Sequence, residues 1–262
     1  MISGIARVRS FLAICILAFA SAAIAAEPGH SLPPGIDSSY SASLAGVFSK
    51  LVEPPAADFD GNLRLRRIDA RTNKLYIGIR QEMIIRAPVE AVVAVLENFA
   101  DYPRMFDDLL RAEATKTGPD TFSLLQEQRV PIPFMKNATF TLNYLVDDQG
   151  AAGKGYLYKL KESNRLLFDD GMIRLTRTPE GECYFLEYDF VLADWGSLGG
   201  IASSKIWEAS IHGTIDSDLP IKLRVEHPDW DLSRVRAEAK REAAKYDPKQ
   251  IATEAVSSDV AF

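Results

Sequence analysis

The sequence predicts an α+β domain in β-α-α-β6-α order, an antiparallel meander with helices before and after it. Three observations carry this. Between Leu75 and Arg86 the apolar residues Leu75, Ile77, Ile79, Met83 and Ile85 alternate with Tyr76, Arg80, Glu82 and Arg86, the period of a strand with one buried face. At Ala87-Pro88 the period changes, and Val89, Val92, Val93, Leu96 and Phe99 recur at helical spacing. Beyond Leu110, six strand-like runs follow one another with turn residues between them.

The N-terminus is a targeting segment by composition. Arg7 and Arg9 precede an apolar run, Phe11 to Ala20, and a small-residue tail ending Ala23-Ile24-Ala25-Ala26. A charged start, a short apolar core and an Ala-x-Ala end describe a secretory signal peptide over residues 1–26. The run is shorter than the ~20 apolar residues that span a bilayer. Export is therefore expected, to the periplasm if the source has two membranes and to the outside otherwise. Cleavage would take the formal charge from −6 to −8 and leave Cys183 as the sole cysteine, so no internal disulfide is expected. An acidic chain of this kind has no general attraction for nucleic acid.

Residues 27–72 read as a leader. Glu27 to Ser39 is rich in Pro, Gly and Ser. Tyr40, Leu44, Val47, Phe48, Leu51 and Val52 then fall at helical spacing and end at Pro54-Pro55. This amphipathic helix packs on the domain or makes transient contact with a membrane; a single lysine, Lys50, and no basic face favour packing. Asn62 to Arg71 suggests an extra edge strand whose arginines are either a solvated edge or an anion-binding surface.

Residues 73–246 form the main domain. Pro88 suits the first turn of a helix, where its missing N–H costs nothing, and Glu90 sits near the positive N-terminus. Asp101 is placed to cap a second short helix through Tyr102-Pro103-Arg104-Met105-Phe106. The six later strands are Arg111–Thr117, Thr121–Val130, Ala138–Val146, Gly153–Lys161, Gly171–Thr178 and Glu182–Ala193. In the last, Tyr184, Leu186, Tyr188, Phe190 and Leu192 face one way, and Cys183, Glu187 and Asp189 the other. Ala202 to Ile211 is helix or strand, Asp216 to Pro228 is ambiguous, and Asp231 to Tyr246 is a helix rich in Ala and charge. Residues 247–262 read as a tail.

The segment Ile84-Ile85-Arg86-Ala87-Pro88-Val89-Glu90-Ala91-Val92, followed by Val95-Leu96-Glu97-Asn98-Phe99-Ala100-Asp101-Tyr102-Pro103, resembles the opening of the helix-grip superfamily. That group holds the StAR-related lipid-transfer, polyketide cyclase/dehydrase-like and coenzyme Q-binding-like proteins. The resemblance spans roughly Asn73 to Lys245. It implies a curved antiparallel sheet gripping a C-terminal helix over an apolar cavity, with carrier function in some relatives and cyclase chemistry in others. The gripping helix is either Asp231–Tyr246, whose apolar face is thin, or Ala202–Ile211 with Ile206 and Trp207.

Catalytic motifs do not emerge. There is no nucleophile elbow, phosphate loop, paired CxxC or HExxH. His30, His212 and His227 are scattered, and Glu226 or Asp229 beside His227 lacks metal-ligand spacing, so neither metal nor cofactor is expected. The sequence does offer aromatics for an apolar pocket: Phe99, Tyr102 and Phe106 from the helical pair, and Phe140, Tyr144, Tyr156, Tyr158, Tyr188 and Trp195 from the strands and the turn that follows. Each is either a cavity-lining residue or core filler. Glu127 is a general base if it faces the cavity, or a partner of Lys159 and Lys161 across the sheet if it does not. The expectation is an exported binding or transfer protein for a hydrophobic small molecule such as a lipid, isoprenoid or polyketide-like compound. The alternatives are a cyclase- or hydrolase-like enzyme on such a substrate, recognisable by a buried carboxylate or histidine within hydrogen-bond reach of a cavity tyrosine, or an envelope interaction module with a filled core.

Overall fold

In the computed structural model, the residues described are 59–69, 76–129, 137–193 and 203–255. They form one sheet of nine strands and four helices. β1 (Arg64–Asp69) and β2 (Tyr76–Ile85) lead into α1 (Val89–Leu96), a single 3-10 turn and α2 (Tyr102–Met105). The meander follows: β3 (Leu109–Lys116), β4 (Thr121–Gln128), β5 (Ala138–Asp148), β6 (Gly153–Ser163), β7 (Leu166–Arg177) and β8 (Cys183–Ala193). Then come α3 (Ser203–Glu226), α4 (Leu232–Ala243) and β9 (Thr253–Ala255). The spatial order is β3-β4-β5-β6-β7-β8-β2-β1-β9, so the first long strand returns beside the last strand of the meander.

The sequence pattern places these elements well, with instructive differences. Pro88 is the cap of α1 rather than its first residue, with ψ at 153°. That is the extended conformation a proline before a helix prefers. Asp101 does not cap α2 through its side chain; it accepts from Asn98 Nδ2 at 2.9 Å and lies 3.5 Å from Arg104. Asp231 does cap its helix, accepting from the Arg234 N–H at 2.8 Å. β7 begins five residues before Gly171, because Leu166 and Phe168 continue its alternation through Asp169-Asp170. Thr253–Ala255, read as part of a tail, pairs in parallel with β1. β1 is therefore not an edge, and its Arg64 lies 3.6 Å from Glu82 and over the Phe59 ring. The helical part of the leader, Tyr40–Val52, and Trp195 lie outside the described residues.

The gripping helix is neither of the two expected segments alone. α3 joins Ala202–Ile211, from Ser203 on, with most of the ambiguous stretch after it, 24 residues in all. Pro220 lies inside it, where the ring removes one backbone bond, so no clear helical signal runs through the ambiguous stretch Asp216 to Pro228. α4 packs on α3 and α2 instead of on the sheet. α3 packs on β2, α1 and α4, and α1 reaches β6 and β7.

Register sorts the strand residues onto two faces. The face toward the helices carries Ile79, Met83 and Ile85 of β2, Cys183 and Phe185 of β8, and Leu175 of β7, packed with Val92, Ile215 and Val235. The far face carries Tyr184, Leu186, Tyr188 and Phe190 with Met172, Phe168 and Ile68, also buried. On that far face Glu82 is met by Arg80 Nη2 at 3.3 Å and by the Tyr184 hydroxyl at 2.6 Å.

Phe185 has no exposed surface. Replacing it with Ala is expected to cost about 3–5 kcal/mol in urea unfolding. Leu145→Ala, at a site 49% exposed, should stay within about 0.5 kcal/mol of the parent.

Candidate functional site

The C-terminal half of β8 changes character on its helix-facing side. Cys183 and Phe185 give way to Glu187 and Asp189. Asp169 of β7 lies on the same face, and α3 brings Asp218 from above, one turn before Lys222. Asp218 is 3% exposed and Asp169 8%. Asp218 and Glu187 face each other, and their proximity favours a proton held on Asp218. Gln81 of β2 donates from Nε2 to Glu187 Oε2. The Tyr158 hydroxyl of β6 stands 3.1 Å from Glu187 Oε1 and 3.1 Å from Asp189 Oδ1.

A glycine makes that reach available. Gly171 lies between Tyr158 and Asp189 in the register of β6, β7 and β8. A Cβ there would fall 2.1 Å from Tyr158 Cζ and 2.6 Å from the Tyr188 carbonyl oxygen. The phenol thus lies across the bare backbone of β7 to touch the acids of β8, the close approach that a strand glycine permits.

Electrostatics follow from this crowding. Burial, and then the neighbouring acids, hold the Asp169 and Asp218 carboxyls well above the ordinary carboxylate range. Burial and Glu187 push Asp189 up to about 7. Burial also raises Glu187, although Asp218, Gln81 and Tyr158 offset this by hydrogen bonding to it. Burial and the adjacent acids raise the Tyr158 phenol, which remains a proton donor. Among the described residues, no three His, Cys, Asp or Glu side chains are arranged to hold a metal ion.

From the acids a line of rings runs toward the helical pair. Tyr158 meets Tyr144 at 5.4 Å, and Tyr144 stacks on Phe122 at 4.6 Å with planes 4° apart. Phe122 meets Phe99 at 5.4 Å, Phe99 meets Tyr102 at 5.2 Å, and Tyr102 meets Phe106 at 4.8 Å. Phe99, Phe106, Phe122, Tyr144 and Ile173 are only half-buried, as are Glu187 and Asp189, although the strand residues among them face the helix layer. Because α3 packs on β2 and α1 on β6 and β7, the sheet over β4 and β5 keeps aromatic surface accessible. The result is an aromatic recess with a carboxyl cluster at one end.

The expected pocket residues divide accordingly. Phe99, Tyr102, Phe106, Tyr144 and Tyr158 belong to the ring line, and Phe140 packs beside Tyr158 with Leu142. Tyr102 is buried with its hydroxyl donated to the Leu96 carbonyl at 2.6 Å, a structural role. Tyr156 shares the helix-facing side and donates to Glu97 Oε1 at 2.8 Å, beside Lys154. Tyr188 lies on the far face, paired in register with Arg80 and Met172, and is not part of the recess. Glu127 also points away from the recess and accepts from Asn137 Nδ2 at 2.6 Å. β5 separates β4 from β6, so Glu127 has no cross-strand pairing with Lys159 or Lys161. His227 stacks on Trp230 at 3.9 Å, at the surface beyond α3. Phe122, Gln81, Asp169, Glu187, Asp189 and Asp218 were not singled out by the sequence as site residues; acids in mid-strand and a glycine beyond two aspartates were the available signals.

The fold is the helix-grip fold. Human STARD10 superposes over 80% of this chain and 89% of its own with a TM-score of 0.51 at 13% identity. A STAR-related lipid transfer protein from Xanthomonas axonopodis aligns over 71% of this chain and 97% of its own, at 16% identity and a TM-score of 0.46. The Zhui aromatase/cyclase from a Streptomyces strain aligns over 64% and 95%, at 15% identity and 0.40. No protein-family model matches the chain, and no curated protein sequence does.

Two measurements test the site. Burial pushes Asp189, beside Glu187, and Asp216 on α3 up to about 7 in the folded chain, above the ordinary aspartate range. An acid raised on folding contributes stability that is complete below the unfolded value and is lost as pH rises through the folded one. The melting temperature should therefore fall between pH 5 and pH 8, and Asp189→Asn should make that fall shallower; a flat profile shared by parent and variant would contradict it. Gly171→Ala should cost roughly 1–3 kcal/mol in chemical denaturation by forcing Tyr158 aside, and parent-like stability would contradict the close approach.

Proposed function

We propose that this chain is an exported binding or transfer protein for a hydrophobic small molecule, of lipid, isoprenoid or polyketide-like character, held in the recess between sheet and helices. The observation that carries it is the half-buried ring line Tyr144–Phe122–Phe99–Phe106 on the face that a two-layer α+β fold would otherwise fill. Ligand surface leaving water for such rings contributes roughly 25 cal/mol per Å² before ordering costs. The helix-grip resemblance supports carriage of apolar compounds. Export rests on the composition of residues 1–26.

A second reading, turnover of the bound compound, is favoured by one contact: the Tyr158 hydroxyl within 3.1 Å of both Glu187 and Asp189. A phenol donor beside a carboxyl that titrates at about 7 is an acid–base pair suited to proton transfer at neutral pH.

Native mass spectrometry of protein purified from its own source separates these. The carrier reading expects a chain lacking residues 1–26 with an extra mass of a few hundred daltons, reduced in Phe122→Asp. Protein that is empty as isolated and takes up no apolar probe would contradict the binding reading. A retained compound that changes mass on incubation, with the change slowed in Tyr158→Phe, would instead establish turnover.

A further inference from the structure

Among the described residues the carboxyl cluster has no counterion, and two of its buried oxygens have no hydrogen-bond partner. Gln81 is 1% exposed; its Nε2 is committed to Glu187, and its Oε1, in the same cluster, has no partner. Asp218, 3% exposed and facing Glu187, leaves Oδ2 without a partner. Two buried acceptors in that condition call for a donor, since a buried polar group without a bond forfeits its hydration. No lysine or arginine of the described residues acts strongly on Asp169, Glu187, Asp189 or Asp218. The nearest along α3, Lys222, is spent on the Ile84 carbonyl and Glu226. The contrast with Glu82, one register step away through the sheet, is direct: there two arginines meet the acid.

We propose that the cluster receives the N–H-bearing cationic head of an amphiphilic amine, with its apolar part lying along the Tyr144, Phe122 and Phe99 rings. This rests on the reading of the recess as a site for a hydrophobic molecule and names the class of that molecule. A primary or secondary ammonium fits what is there. Its N–H groups donate to Gln81 Oε1, to Asp218 Oδ2 and to a carboxylate of Glu187 or Asp189, and charge-assisted bonds of this kind are the strong ones. The adjacent Tyr144 and Tyr158 rings offer their faces to a cation. The balance is explicit: the cation takes the place of a proton now shared within the cluster, and that proton leaves to solvent. Among the described residues, those facing the cluster are Gln81 from β2, Tyr158 from β6, Asp169 from β7, Glu187 and Asp189 from β8, and Asp218 from α3, with Tyr144 and Tyr102 behind them and Asp170 acting from the next position of β7. Among these the acids supply all the charge, so a cation is favoured over a neutral or anionic head.

The test is calorimetric titration of the exported chain with dodecylamine and, separately, dodecanol, both below their aggregation limits. The proposal expects the amine to bind about tenfold or more tightly than the alcohol. It also expects amine affinity to rise from pH 6 to pH 8, with proton release seen as a dependence of the heat on buffer ionisation. Asp189→Asn should remove most of the amine's advantage over the alcohol. Glu187→Gln provides a second variant if the first does not fold. Equal binding of both probes to the parent would overturn the cation and leave the apolar carrier standing. Binding of neither would overturn both.

Discussion

Burying several carboxyl groups against aromatic rings, with no lysine or arginine among the described residues set against them, is the constraint on which the rest of the site depends. Each charge so placed is held in a poor solvent, so the group keeps its proton or shares one. The surroundings are arranged to make that tolerable. Asp218 leans on Glu187, Gln81 donates to it, and Tyr158 crosses Gly171 to donate to Glu187 or Asp189. The backbone glycine, the phenol and the helix carboxyl come from three separate elements, so the cluster exists only when the sheet is bent over α3.

Strand β8 shows how one segment serves stability and chemistry on opposite faces. Its far side, Tyr184, Leu186, Tyr188 and Phe190, is core, and the acid nearby, Glu82, is fully met by arginines and a tyrosine. Its helix-facing side starts as core at Phe185 and ends as a reactive surface at Glu187 and Asp189. Polar burial that is satisfied rigidifies; polar burial left incomplete marks a place built for something else.

Much of the fold is legible in the sequence because period and punctuation agree there. The alternation of β2, the Pro88 start of α1 and the order of the six meander strands all appear in the structure. α3 was hidden by Pro220 and by the low apolar content of its middle, where tertiary packing of Ile215 and Leu219 decides the helix. β9 was hidden because three residues carry no period of their own. The ring line was half legible: Tyr144 and Tyr158 were expected and Phe122 was not. For β8 the alternation appears as expected, but Tyr188, a candidate lining residue, lies on the far face. Residue pattern gives parity, and only the partner layer tells which side is which. The acid cluster could not be read at all from spacing, because Gln81, Asp169, Glu187 and Asp218 are joined by sheet register and a helix crossing, at separations that no motif spans.

Proton sharing at neutral pH, in place of separate ionisation, is what sets these carboxyls apart. Site-resolved carboxyl ¹³C NMR across a pH titration measures this directly, with Glu187→Gln and Asp189→Asn used for assignment. A buried carboxyl of the cluster should still be protonated at pH 7, Asp189 should titrate near 7, and removing either neighbour should lower the titration of the other. Four signals all fully ionised by about pH 5, each unmoved by loss of its neighbours, would contradict it.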